Sequence, residues 1–365
     1  MRVVIRVDSS VDMGSGHVMR CLALASKFKQ EGVRVSFLCR KLPGNLGDFV
    51  VKQGFEVDYL PLPGIGFMPS VTDVAHASWL GVGWWQDAEE TRLALGADKD
   101  IIDWLVVDHY ALDRRWEGCL RPFVRHIMVI DDLADRHHDC DLLLDQNLVE
   151  HMDSRYDMLL SDTCKRLLGP CYALLRPEFW ARRDLALVRR DKTEKVERLL
   201  VTLGGMDPDN VTGMVLEGVE KACVDVVVDV VMGENAPYLE DVRQQAERMT
   251  AAVEVHVASK NMAELMGKAD FAVGAGGVTS WERCVLGLPS IIITTAKNQE
   301  PIAAGLVRLG AVKWLGTSEQ VDSRCVAAEL RVIFKQLDDV KGMSLVARRL
   351  CDGNGTGRVV EEMVG

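Results

Sequence analysis

The sequence predicts an α/β fold made of two doubly wound, Rossmann-like domains that face each other across a cleft. Three observations carry this expectation. Short apolar runs of strand character alternate with segments of helical periodicity, the series restarts near Leu199, and several of these strands run out into glycine turns. Alternating β and α elements imply parallel sheets covered on both faces. A chain of 365 residues has room for two such domains.

In the first series the predicted strands are Val3–Val7, Val33–Leu38, Trp104–Asp108, Ile127–Asp131 and Leu142–Leu144. A helix is expected over Gly16–Gln30, because Val18, Cys21, Leu22, Ala25 and Phe28 recur on one face. The second series comprises Leu199–Leu203, Val226–Met232, Val253–Val257, Phe271–Val273 and Ser290–Thr294. The charged stretch Leu185–Glu197 is read as the boundary. It gives an N-terminal domain over 1–185, a C-terminal domain over 186–340, and an amphipathic tail over 341–365 expected to pack back on the first domain. In open α/β sheets, ligands bind beyond the carboxyl ends of the strands, so the chemistry is expected in the loops found there.

Composition limits the partners. Hydrophobic residues make up 48% of the chain, ample for two cores, and the formal net charge of −11 argues against broad nucleic-acid binding. The 10 cysteines are scattered without a C-x-x-C pair, and no h-region opens the chain. No apolar run approaches the roughly 20 residues that span a bilayer. These features lead to the expectation of a soluble cytoplasmic protein with reduced thiols and no nucleic-acid or membrane partner; oligomeric state is left open.

The most informative loop follows the first strand. Gly14, Ser15 and Gly16 lead straight to His17 in the first helical turn, where unpaired amides and the helix dipole attract anions. An imidazole there is suited to acid–base work beside a phosphate-bearing ligand, the competing role being structural. The spacing is neither the G-x-G-x-x-G fingerprint nor a P-loop. Arg20, one turn on, either touches phosphate or pairs with a carboxylate. Asp8 either orients His17, contacts a sugar or caps the approach to the helix. Asp108, His109 and Tyr110 follow a buried strand, and one of them is expected to touch the ligand. Adjacent Asp131 and Asp132 point in opposite directions at a strand end and so do not form a shared dyad. Gln146 and Asn147 are candidate sugar or loop contacts. His137, His138 and Cys140 are too compressed for a zinc site, and neither metal nor cofactor is expected.

The second loop runs from Phe271 to Pro289. Gly274, Gly276 and Gly277 allow close backbone approach to a phosphate, Val278 follows, and Thr279 and Ser280 add donors at the helix start. Glu282 lies in the first turns, where it accepts from paired ribose hydroxyls or favours the dipole. Asn298 and Gln299 end the next strand with amides able to bond phosphate, ribose or sugar. A third turn, Gly204–Asn210, follows the first strand of the second domain and contributes Gly205. Together these turns point to a phosphorylated, nucleotide-bearing ligand.

The chain resembles the GT-B glycosyltransferase superfamily and, within it, the pseudaminic acid pathway hydrolases that release UDP from UDP-2,4-diacetamido-2,4,6-trideoxy-β-L-altropyranose. The resemblance rests on Arg6–Asp8 with Gly14–Arg20, Val107–Tyr110, Ile130–Asp135, Leu144–Leu148, Leu168–Phe179, Leu203–Asn210 and Gly274–Ile291. It implies metal-independent displacement of UDP by water with inversion. His17 would be the general base, and the glycine loop with Glu282 would hold the nucleotide. Val278 departs mildly from the small residue common in such loops. Two other functions fit the same residues: a glycosyltransferase using a UDP-sugar donor, and a non-catalytic nucleotide-sugar binding protein. A hydrolysing 2-epimerase is a narrower variant.

Overall fold

A computed structural model describes residues 1–64, 66–96, 101–259 and 261–365. The chain divides into two compact units: Met1–Asn147 with His151–Arg176 and Asn354–Gly365, and Leu148–Glu150 with Pro177–Gly353.

The first unit holds a parallel sheet of β1 (Arg2–Val7), β2 (Arg34–Arg40), β3 (Glu56–Leu60), β4 (Ile102–Asp108), β5 (Val124–Ile130), β6 (Leu142–Asp145) and β7 (Lys165–Leu168), in the order β3-β2-β1-β4-β5-β6-β7. Side chains alternate across it. Val3, Ile5 and Val7 join Trp104 and Val106 in the core packed by the helix Gly16–Gln30, whereas Val4 joins Leu105 and Val107 in the opposite layer. The helix Gly355–Val364 covers the Gly16–Gln30 side, where Trp104 Nε1 donates to the Met363 carbonyl at 2.9 Å.

The second unit repeats the plan with β8 (Arg198–Thr202), β9 (Val227–Met232), β10 (Val253–Val257), β11 (Phe271–Gly274), β12 (Ser290–Thr294) and β13 (Val312–Thr317), in the order β10-β9-β8-β11-β12-β13. In both units strand order reverses beside the first strand, between β1 and β4 and between β8 and β11. Chain segments leaving these strand pairs diverge and open a crevice at their carboxyl ends.

The structure corrects the boundaries read from the sequence. The units change over at Pro177 rather than at 186, because the helix Pro177–Asp191 is tied into the second unit. Its buried Arg190 donates to the carbonyls of Met266, Ala269 and Leu286 at 2.6–2.7 Å. The tail also divides. The helix Leu337–Leu350 stays in the second unit through Ser344 and Arg348, and only Asn354–Gly365 joins the first. The sequence reading lacked β3, β7 and β13, three of the four edge strands. Edge strands need little apolar surface, and β3 is largely exposed.

Candidate active site

The reversal in the first unit brings His17 and Asp108 together. Val7 pairs with Asp108 across β1 and β4, and the turn after β1 returns the chain to the helix Gly16–Gln30 on one face of the sheet. Gly14 makes that return at φ +72°, a conformation that disfavours side chains, and its amide donates to the Ser10 carbonyl at 2.9 Å. Trp104, Val106 and Asp108 alternate onto the same face, so the Asp108 carboxylate meets the imidazole.

His17 Nδ1 lies 2.6 Å from Asp108 Oδ1. Arg20 completes the grip, with Nε 2.7 Å from Oδ2 and Nη2 2.7 Å from Oδ1. Burial alone would raise the Asp108 carboxyl, but Arg20 and His17 outweigh it and hold it well below the usual carboxylate range. An ionised carboxylate can only accept, so Nδ1 carries the proton and the Nε2 lone pair is left for other work. No protein group among the described residues bonds Nε2.

Around this pair stands an aromatic wall. The Tyr110 ring meets His17 edge-on at 4.5 Å between centroids and stacks on Trp79 at 5.8 Å, and His76 packs against Trp79 at 4.7 Å. Tyr110 OH donates to Asp132, and Asp132 accepts from Arg20 Nη1 at 3.0 Å. Burial, then Asp132, pushes the Tyr110 phenol up, so it stays protonated. Burial pulls the His76 imidazole down, and its Nδ1 is buried without a partner.

The structure moves several candidates away from this centre. Asp8 alternates to the opposite face with Val4 and Arg6 and is fully buried. It accepts from Arg6 at 2.6 Å and from the Arg40 amide at 2.6 Å, with His109 at 3.3 Å, so it neither orients His17 nor faces solvent. Arg20 devotes its donors to Asp108 and Asp132, which makes it a positioning group rather than a phosphate contact. Asp131 and Asp132 diverge, Asp131 accepting from Tyr156 and the Ala134 amide. Gln146 receives the Leu174 amide and Asn147 donates to Asp145, both buried beyond β6. His138 is bound to Glu117 at 2.7 Å, and Cys140 lies against Cys164.

In the second unit the β8/β11 reversal presents the loop from Gly274 to Ser280. The Gly276 amide donates to Gln299 Oε1 at 3.2 Å, and the same oxygen receives the Thr295 amide at 3.0 Å, tying the loop to the end of β12. Gly277, Val278 and Thr279 follow with three successive amides that find no acceptor among the described residues. Ser280 is buried beneath them, Glu282 is half-buried in the helix Thr279–Val285, and Asn298 is exposed. Gly205 is exposed after β8, and its carbonyl accepts from Gly233 at 2.8 Å. Asp207, in the same turn, caps the helix Val211–Ala222 through the Val211 and Thr212 amides.

Trp79, His76 and Arg283 belong to these sites without having been singled out in the sequence, and Asp132, read there only as half of a diverging pair, bridges Arg20 and Tyr110. His76 and Trp79 lie just before and in the short turn Ala77–Leu80, a stretch without periodicity, and Arg283 sits within an apolar helix run. Among the described residues, ligand atoms close enough for a metal occur together at Asp229, Glu254 and His256, on β9 and β10. There Arg198 already holds Asp229 at 2.7 Å.

No family model matches the chain. It is 24% identical over 311 residues to the UDP-2,4-diacetamido-2,4,6-trideoxy-β-L-altropyranose hydrolase of Campylobacter jejuni, an alignment covering 85% of this chain and 97% of the hydrolase. It is 30% identical over 198 residues to the spore coat polysaccharide biosynthesis protein SpsG of Bacillus subtilis, covering 52% of this chain. The chain spans just over half the length of two of its curated relatives, 55% of one and 56% of SpsG. Among solved structures, Acinetobacter baumannii MurG superposes with a TM-score of 0.71 at 13% identity, covering 100% of this chain and 99% of MurG. The fold is therefore of the GT-B kind, with two Rossmann-like domains, and the resemblance to the Campylobacter hydrolase extends over most of both chains.

Proposed function

We propose that this chain is an inverting hydrolase that cleaves the anomeric C–O bond of a UDP-linked diacetamido sugar, releasing UDP and the free sugar. The observation that carries the reading is the His17–Asp108 pair. Its Nδ1 proton is committed to an ionised carboxylate and its Nε2 is without a protein partner among the described residues. The similarity to the Campylobacter hydrolase supports UDP-2,4-diacetamido-2,4,6-trideoxy-β-L-altropyranose as the substrate.

In this reaction His17 Nε2 takes a proton from water as the water oxygen bonds to the anomeric carbon. The bond to the glycosidic oxygen breaks on the opposite face, and its electron pair leaves on the β-phosphate of UDP. Asp108 stabilises the imidazolium and holds the ring, while Arg20 keeps Asp108 ionised. The developing phosphate charge meets the free amides of Gly277, Val278 and Thr279, with Glu282 accepting from the ribose hydroxyls. UDP leaves readily, so no strong general acid is required, and the reading assigns no metal. Tyr110, Trp79 and His76 form the apolar wall available to the sugar ring.

The test is turnover of the UDP-sugar in oxygen-18 water, with and without EDTA, by wild-type protein and His17→Ala. The expected result is label in the free sugar and none in UDP, with EDTA lacking effect and turnover by the variant slowed about 10³-fold. Label in UDP would mean attack at phosphorus. UDP release that depends on an added acceptor hydroxyl would make the protein a glycosyltransferase, and nucleotide-sugar binding without turnover would make it a binding protein.

A further inference from the structure

The second unit carries a buried cation that its own fold does not neutralise. Arg283 is 1% exposed, and its guanidinium lies inside the turn formed by residues 275–280. Nη2 donates to the Ala275 carbonyl at 2.7 Å and to Ser280 Oγ at 3.0 Å, and Nη1 reaches Thr279 Oγ1 at 3.4 Å. Nε has no partner among the described residues. No carboxylate lies within ion-pairing distance among the described residues. Glu282 next in sequence acts on it only at longer range.

Other buried arginines of the chain are compensated. Arg6 and Arg40 each hold Asp87, and Arg20 holds Asp108, all at 2.7–2.8 Å. Arg190, which also lacks a carboxylate at such a distance, gives each of its three guanidinium nitrogens a main-chain carbonyl, those of Met266, Ala269 and Leu286. Arg283 has one carbonyl and two hydroxyls. Burying an ion without an opposite charge is costly unless, as at Arg190, each guanidinium nitrogen finds an acceptor; otherwise something else must supply that charge. Gly274 shows how closely the backbone accommodates it, since a Cβ there would stand 2.4 Å from Nη1. The same turn exposes the three free amides of Gly277, Val278 and Thr279. Burial pulls the guanidinium down to about 10, which leaves it charged at neutral pH.

We propose that Arg283 is a positioning residue for the diphosphate of the nucleotide: it holds the 275–280 turn from within and provides the countercharge that the turn's amides alone lack. The inference rests on the nucleotide reading given above and deepens it. It makes the site selective for charge, because uridine offers the cation nothing to compensate whereas UDP does.

Calorimetric titration of UDP and of uridine into wild-type protein, Arg283→Met, Arg283→Gln and Arg283→Lys tests it, with thermal unfolding to verify each fold. Gln keeps a donor for the Ala275 carbonyl but no charge, whereas Lys keeps the charge. The expected result is UDP affinity about 10- to 100-fold weaker in both Met and Gln variants, uridine affinity within about twofold of wild type, and partial recovery in Lys. Full rescue by Gln, or parallel loss of UDP and uridine, would reduce Arg283 to a scaffold of the turn and overturn the inference. Undiminished UDP affinity in the Met variant would overturn it as well. Absence of UDP binding by the wild-type protein would instead remove the nucleotide reading on which it depends.

Discussion

The two units build their candidate sites at the same topological place and by opposite electrostatic means. In the first, β1 and β4 present a histidine whose every charged neighbour is itself paired: His17 to Asp108, Asp108 to Arg20, Arg20 to Asp132, and Asp132 to Tyr110. In the second, β8 and β11 present backbone amides over a cation that no carboxylate pairs among the described residues. A closed network suits a group that must keep one tautomer and one orientation while a proton passes through its far nitrogen. An open, electron-poor turn suits a group that must receive an anion from outside. On the function proposed above, the same parallel-sheet crevice would serve as a fixed proton acceptor in one half and as an anion receptor in the other.

That division can be broken most severely at its catalytic end. His17→Ala is expected to lower kcat about 10³-fold while UDP affinity changes little, because the amides proposed to receive the anion lie in the other unit. Steady-state turnover with parallel UDP titration checks both halves of the statement. Asp108→Asn is expected to cost about 10²- to 10³-fold in kcat, since an amide can donate to Nδ1 and favour the wrong tautomer. It should also lower the unfolding temperature, because buried Arg20 loses one of its two carboxylate partners. Retained activity in that variant would show that the imidazole is oriented by something else.

The second unit is probed by Gly274→Ala. The added methyl group meets the Arg283 guanidinium, and the expected cost is about 1–3 kcal/mol of stability in denaturant unfolding, with weaker UDP binding and unchanged uridine binding. A smaller effect concerns the first unit alone. Burial raises the Asp145 carboxyl from its ordinary 3.8 to about 7, even with Arg155 at 2.8 Å. The native state therefore holds this proton more tightly than the unfolded chain does. Its contribution is greatest below the ordinary value and is lost as pH rises through that value toward about 7. Asp145→Asn should flatten that part of the stability profile between about pH 4 and 7. An unchanged slope in chemical denaturation across this range would assign it to other groups.

Much of the architecture was legible because central parallel strands are buried on both faces and must be written as continuous apolar runs. The runs at Val3–Val7, Leu199–Leu203 and Phe271–Val273 all correspond to strands at the centre of a sheet. Edge strands such as Glu56–Leu60 carry no such obligation and left no comparable trace. The glycine turns were legible for a related reason, since a strand-to-helix return with positive φ or close backbone approach admits few other residues. His17 at the first helical turn followed directly from that reading.

The partner of His17 was a different matter. Asp108 lies 91 residues further along the chain, and only the adjacency of β1 and β4 makes it a neighbour. The alternation Trp104, Val106, Asp108 could have assigned the carboxylate to a face, but not that face to the helix carrying His17. Asp8 illustrates the same limit. Nearer in sequence, it alternates to the far side of the sheet and ends among Arg6, Arg40 and His109. By itself the sequence determined the central strands, the glycine turns and the residue at the helix start, because these depend on local periodicity and on backbone conformations few residues adopt. The tertiary structure alone decided which charges meet, because strand order and facing set the distances on which Coulombic and hydrogen-bond energies depend.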